Sequence, residues 1–185
     1  MSDDHQFIRG QRILDQLNEM SSYPKLYDNI ERGFPTTKKR QHATGEVTVT
    51  NVQYIPYVGM KMLHIKALTT SNGHQYAQSL QFLRVEFESE DTDSNITFQG
   101  TDGRDYHIVP VTLTDHNVKV KCNCLDFFHR FAHYNAQDKS LIGRPPPLYQ
   151  RKTDRPPVNP LRVPGLCKHL LKVIETLEGS GIISD

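Results

Sequence analysis

The strongest constraint on this chain is a pair of short motifs set far apart, Cys122-Asn123-Cys124 and Cys167-Lys168-His169. Together they hold all 3 cysteines of the 185 residues, and residues 125–166 separate them. Three thiolates and one imidazole complete a tetrahedral shell for Zn²⁺ and leave no ligand position for water. Soft thiolate and borderline imidazole donors select zinc over Mg²⁺ or Ca²⁺. An odd cysteine number, with two cysteines one residue apart, argues against a disulfide framework and for a metal in a reducing compartment.

Each pair has a local geometry that suits a ligand. Cys122 and Cys124 follow the alternating run Asn117 to Lys121, which predicts a strand. Side chains at i and i+2 of a strand share a face, so both sulfurs can meet one ion. Cys167 and His169 precede an apolar helical pattern that begins at Leu170. Within a helix, i and i+2 diverge by about 200°. Cys167 is therefore expected at the helix entrance, with His169 in the first turn, where peptide N–H groups and the helix dipole favour thiolate charge. A rival set stays open: His129 and His133 stand at i and i+4, so Cys122, Cys124, His129 and His133 also have metal-competent spacing. That set would leave Cys167 and His169 as an unexplained thiol and imidazole beside a helix start.

The order Cys-x-Cys…Cys-x-His on Cys122, Cys124, Cys167 and His169 resembles the SWIM-type zinc finger. The likeness spans residues 117–178 at most, and the insertion between the pairs is longer than that family usually carries. It implies a structural metal and a role in binding DNA or protein, not a reaction. The segments from Cys122 to Phe127, from Arg151 to Pro160 and from Pro164 to His169 are also similar to zinc-containing virion proteins of tailed bacteriophages. That likeness implies a tail, baseplate or neck component, located in the virion and assembled in the host cytoplasm.

Composition adds a charge asymmetry. The formal net charge is only +1, yet residues 86–115 carry Glu86, Glu88, Glu90, Asp91, Asp93, Asp102, Asp105 and Asp115 against the single base Arg104. Residues 119–172 reverse the sign, with Lys119, Lys121, Arg130, Lys139, Arg144, Arg151, Lys152, Arg155, Arg162, Lys168 and Lys172 against Asp126, Asp138 and Asp154. Such blocks are either solvated faces or complementary contact surfaces. No apolar run approaches the roughly 20 residues that cross a bilayer. The acidic start, Met1 to Asp4, lacks the apolar core of a signal peptide. The chain is therefore expected to have no membrane partner and to stay where it is made.

The remaining patterning predicts an α+β fold: an antiparallel sheet of five to seven strands, an N-terminal helix, and a C-terminal SWIM-like zinc module that ends in a helix. Residues 2–20 read as a helix with Ser2 as N-cap and an apolar stripe of Phe7, Ile8, Leu14, Leu17 and Met20. Tyr23 to Tyr27 reads as a short helical turn, and Thr37 to His42 as a basic loop. From Glu46 the apolar period becomes two. Asn72-Gly73 and Asp102-Gly103 mark hairpins, the run Tyr106 to Leu113 reads as one strand, and Pro110 suggests an edge or a bulge in it. The acidic run Glu86 to Asp93 lacks EF-hand spacing and reads as a solvated loop. Residues 125–135 read as a helix with Phe127, Phe131 and Tyr134 on one face. Residues 143–165 carry 7 of the 11 prolines (Pro145, Pro146, Pro147, Pro156, Pro157, Pro160 and Pro164), which excludes regular helix or strand. The last helix is expected over residues 164–178 with Leu166, Leu170, Val173, Ile174 and Leu177 inward, and Ile182-Ile183 as an exposed tail against a partner subunit.

Three divisions follow: an N-terminal helix and arm over 1–45, an antiparallel β domain over 46–116, and a zinc-binding module over 117–185. The expected function is non-enzymatic assembly, with other virion proteins or copies of the chain as partners and no small-molecule substrate. The alternative is a nucleic-acid-binding SWIM-type zinc finger, since basic and aromatic side chains interleave in the module. An enzyme is not expected, because the four proposed ligands, all from protein, leave no open coordination site.

Overall fold

The computed structural model describes residues 22–33, 44–148, 150, 154 and 157–184. The expected N-terminal helix over 2–20 and the basic loop at Thr37 to His42 lie outside the described residues. The turn expected at Tyr23 extends into an 11-residue helix, α1 (Tyr23–Gly33). Leu26 and Ile30, one turn apart on it, are buried.

Three long strands follow: β1 (Val47–Tyr57), β2 (Met62–Ser71) and β3 (His74–Leu83). β2 and β3 are joined at Asn72-Gly73. Both turn residues have positive φ, +52° and +74°, as a type I′ turn requires. The register follows directly, with Ser71 opposite His74 and Met62 opposite Leu83. The fourth member of this sheet comes from later in the chain. β8 (Val118–Cys122) pairs antiparallel with β3, so the order is β1-β2-β3-β8. The inward face carries Leu63, Ile65 and Ala67 on β2, Leu80 and Phe82 on β3, and Val118 and Val120 on β8. Toward one end the stripe turns polar, with Thr69, Ser71 and Gln78 buried and Gln78 opposite Cys122.

The main sheet thus has four strands, not the five to seven expected. Arg84, at φ +66°, turns the chain out of the sheet after β3. The next strands, β4 (Phe87–Glu88), β5 (Ile96–Gln99) and β6 (Asp105–Ile108), pair among themselves in the order β4-β6-β5. The run Tyr106 to Leu113 is divided as well. Pro110 has no N–H for a ladder, so β6 stops at Ile108 and β7 (Val111–Thr112) starts a different pairing. β7 runs parallel to β9 (Ile183–Ser184) at the other end of the chain. Ile182 and Ile183 are accordingly buried at 2% and 3% exposure, and the exposed tail expected there is instead part of the chain's own core.

After β8 the chain is helical from residue 125. Phe127–Phe131 is wound as a π-helix, followed by α2 (Ala132–Gln137). The return segment covers the outer edge of β8, with Val120 N–H donating to Ser140 O at 2.8 Å and Ile142 N–H donating to Val120 O at 3.1 Å. The final helix, α3 (Lys168–Gly179), buries Leu170, Leu171, Val173, Ile174 and Leu177. It begins four residues later than residue 164, because residues 162–166 have no regular structure and Cys167, at its N-cap, is extended. None of the helices described is long and apolar enough to cross a membrane.

Candidate metal centre

Two chain segments deliver the four side chains to one place. Cys122 is the last residue of β8, and Cys124 stands in the bend just beyond it. The residue between them is locked to β3: Ala77 N–H donates to Asn123 Oδ1 at 2.9 Å and Asn123 N–H donates to Ala77 O at 3.2 Å. That clamp holds the two sulfurs on the inner side of the sheet. Cys124 leads into the helical segment, and its sulfur accepts the Phe127 N–H at 3.3 Å. Cys167 is the N-cap of α3, with extended φ and ψ of −94° and 164°, and His169 sits in the first turn. Both Cys124 and Cys167 therefore lie at helix starts, where N–H groups and the helix dipole favour negative charge.

The stretch that brings Cys167 into place is tied down by buried asparagines. Asn159, at 3% exposure, donates to Arg130 O at 2.9 Å and to Val163 O at 2.8 Å. Asn135 Oδ1 accepts the Gly165 N–H at 2.9 Å, and Asn29 Nδ2 donates to Pro164 O at 3.0 Å. A proline-rich segment has few N–H groups of its own to anchor it, so these side chains replace a backbone ladder.

One ligand atom from each of Cys122, Cys124, Cys167 and His169 lies within 4.8 Å of the others, and all four residues are buried. His169 Nδ1 is 3.9 Å from both Cys122 Sγ and Cys167 Sγ. Zinc bonds of about 2.3 Å to sulfur would place tetrahedral ligand atoms roughly 3.8 Å apart, so the cluster needs only a small contraction. The donor chemistry fits too. Hydrogen bonds from the Cys124 and Cys167 thiols pull Cys122 down to about 4, whereas burial pushes the Cys167 thiol well above its ordinary value. Ionising all three sulfurs in a buried site requires a compensating cation.

The rival ligands His129 and His133 do not join this cluster. Both line a separate cleft of about 340 Å³, together with Phe128, Pro147, Leu148 and Val158. His133 Nδ1 lies 3.3 Å from Pro146 O, and its Nε2 lies 3.3 Å from Gln137 Nε2. The wider π-helical turn places Phe127 and Phe131 in the core at 1% and 0% exposure. Among the described residues, the acids from Glu86 to Asp93 form no such cluster. Two of them are engaged in loop bonds, Glu88 Oε2 accepting from Asn95 Nδ2 at 3.0 Å and Asp91 Oδ1 from Thr97 Oγ1 at 3.2 Å.

Gln78 and Tyr76 are the neighbours that the spacing of cysteines does not disclose. Gln78 Nε2 lies 3.6 Å from Cys122 Sγ, and the Tyr76 ring stacks on His169 with centroids 4.2 Å apart. The available signal was a glutamine at a position where β3's alternation calls for an apolar residue. A larger cleft of about 610 Å³ lies elsewhere, lined by Tyr23, Tyr27 and Asp28 of α1, by Leu171, Glu175 and Glu178 of α3, and by the turn after β7.

Comparison with models of protein families, with curated proteins and with solved structures yields no match. The class that the fold and the cluster define is thus an α+β protein with a buried Cys₃His group able to hold a metal ion.

Proposed function

We propose that this chain is a non-enzymatic assembly protein whose C-terminal part is fixed by a structural Zn²⁺ on Cys122, Cys124, Cys167 and His169. The observation that carries the reading is the closure of the donor set: four buried protein ligands stand within 4.8 Å of one another. Such a set leaves no position for substrate or water, and three sulfurs with one nitrogen favour zinc among the common divalent ions. The metal would link the end of β8 to the start of α3 across the proline-rich segment. Structural zinc contributes on the order of 10 kcal/mol of apparent folding energy, enough to fix a segment with few ladder bonds.

Protein partners are favoured by what the same part of the chain exposes. Leu125, Phe128, Leu148 and Leu161 are 72%, 47%, 52% and 56% exposed. Phe128, Leu148 and Val158 line one cleft, and clustered exposed apolar side chains mark contact surfaces. The partners in this reading are neighbouring virion proteins or further copies of the chain, in the tail, baseplate or neck of a tailed phage. The virion placement rests on the likeness of the segments 122–127, 151–160 and 164–169. A nucleic-acid-binding zinc finger is the second reading, favoured by the exposed Lys121, Arg144 and Arg162 around the same module.

The test is incorporation with and without metal. Zinc-loaded wild type should enter particles in a complementation assay, and Cys167→Ser should express yet fail to enter. Normal incorporation of a chain shown by elemental analysis to be free of metal would sink the proposal.

A further inference from the structure

Four buried protein ligands still need something to aim them. Metal-bound histidines usually donate their second ring N–H to a carboxylate, carbonyl or water, which fixes the ring. His169 departs from that habit. Its Nδ1 faces the sulfurs, while its Nε2 is buried and has no hydrogen-bond partner among the described residues. What does hold the ring is Tyr76, stacked on it at 4.2 Å with an interplanar angle of 28°.

Two residues further along β3, on the same face, is Gln78, at 2% exposure. It stands directly opposite Cys122 in the register. Its Nε2 has two hydrogens and two acceptors: Thr69 Oγ1 at 3.0 Å and Cys122 Sγ at 3.6 Å. The Thr69 hydroxyl can donate or accept, so it serves either orientation of the amide, and the sulfur is the partner that distinguishes them. Gln78 Oε1 is left buried with no partner among the described residues, an arrangement that costs free energy. The reverse orientation would turn the carbonyl oxygen toward the Cys122 sulfur, against the negative charge of a thiolate. The orientation seen is the one that suits a metal-bound thiolate, which gains from N–H donors.

We infer that β3 is the outer shell of the metal centre, with Gln78 orienting Cys122 through an N–H···S bond and Tyr76 holding the His169 ring by stacking. Both are positioning residues, and neither touches the ion. This assignment rests on the Cys₃His reading above. It makes the β2–β3 hairpin, which contributes no ligand, part of the site. Loss of outer-shell partners typically weakens metal binding by 10–100-fold.

The experiment measures zinc affinity by chelator competition, and the Co²⁺-substituted absorption spectrum, for wild type, Gln78→Leu, Gln78→Glu, Tyr76→Leu and Tyr76→Phe. Gln78→Leu is expected to weaken zinc by about 10–100-fold and to shift the sulfur-to-cobalt charge-transfer band. Gln78→Glu, which sets a carboxylate against the thiolate, should weaken it at least as much. Tyr76→Leu should weaken binding and alter the cobalt d–d bands, with Tyr76→Phe restoring both, because the phenyl ring still stacks. Wild-type affinity and spectra in Gln78→Leu and Tyr76→Leu would overturn the inference while leaving the Cys₃His site standing. A wild type that takes up neither zinc nor cobalt would remove the metal reading, and this inference with it. Should Gln78→Leu fail to fold, Gln78→Met removes the same N–H donors with a more adaptable side chain and decides the question.

Discussion

Gly165 shows how closely single residues fit around the ligand-bearing segment. A Cβ added there would lie 2.7 Å from Phe131 Cε1 and 2.9 Å from Cδ1. Phe131 is fully buried and Gly165 N–H is held by Asn135, so neither side has room to retreat. Gly165→Ala is therefore expected to destabilise the zinc-loaded protein by about 1–3 kcal/mol, the usual cost of overpacking. A urea titration reads this directly, and Phe131→Leu in the same chain should recover much of the loss. An unchanged midpoint in the single variant would show that Phe131 can move. The same residues mark the limit of what the sequence discloses. Cys122, Cys124, Cys167 and His169 are legible because ligand spacing is local within each pair and the chemistry admits few other uses. Asn135 and Asn159 are not, because each acts on backbone 30 and 29 residues away in the chain. An asparagine, whether in a helix as Asn135 is or in a turn as Asn159 is, carries no mark in the sequence that distinguishes a buried clamp from a solvated side chain. Gln78 is intermediate: it breaks an apolar alternation, but the sulfur it serves is 44 positions distant.

At the level of elements, hairpins and the final helix were readable, and pairings between distant segments were not. Asn72-Gly73 fixed a turn and a register, since few residues accept two positive φ values. The Asp102-Gly103 turn also formed, closing β5 against β6 with Gln99 opposite Asp105. Its acid is tied down by the Tyr106 hydroxyl, which donates to Asp102 Oδ2 at 2.8 Å. That bond, first among several, holds the Asp102 carboxyl below its ordinary 3.8. A depressed acid contributes stability that is present above its unfolded value and lost as pH falls through its folded one. Tyr106→Phe should therefore move the Asp102 titration upward toward 3.8, as followed by carboxyl-carbon NMR. No movement would assign the effect to the Arg104 N–H and guanidinium instead. The β7–β9 pair was invisible because two-residue strands have no period to detect, and their partners lie 72 positions apart, at Val111 and Ile183. Burial of Ile183 there makes a definite claim on stability. Ile183→Ala should cost about 2 kcal/mol, the low end for a buried isoleucine because a strand of two residues can relax around the loss. A loss below a few tenths in a denaturant titration would restore the picture of a free tail.

For the molecule as a whole, the charge pattern separates two kinds of partner for the basic run. The acidic run 86–115 and the basic run 119–172 are distinct in sequence, and complementary charge of this kind serves specificity and encounter rate between proteins. Nucleic acid would use the basic half differently. Each phosphate neutralised on duplex DNA releases counterions, so affinity falls with salt at a slope of about −0.9 per contact. With Lys121, Arg144 and Arg162 exposed around the module, such a local basic surface would show some binding at low salt. The discriminating quantity is therefore what remains at physiological salt. On the assembly reading, zinc-loaded protein should bind duplex and single-stranded DNA no more tightly than non-specific contacts allow, a Kd of roughly 10⁻⁴–10⁻⁶ M. Charge reversal at Arg144 and Arg162 should then weaken association with protein neighbours or with further copies, and reversal of acids on the partner should restore it. Affinity in the nanomolar range at physiological salt, lost on the same charge reversals and on removal of zinc, would mean that the module reads nucleic acid. The exposed Phe128 would then be its first candidate for stacking on a base.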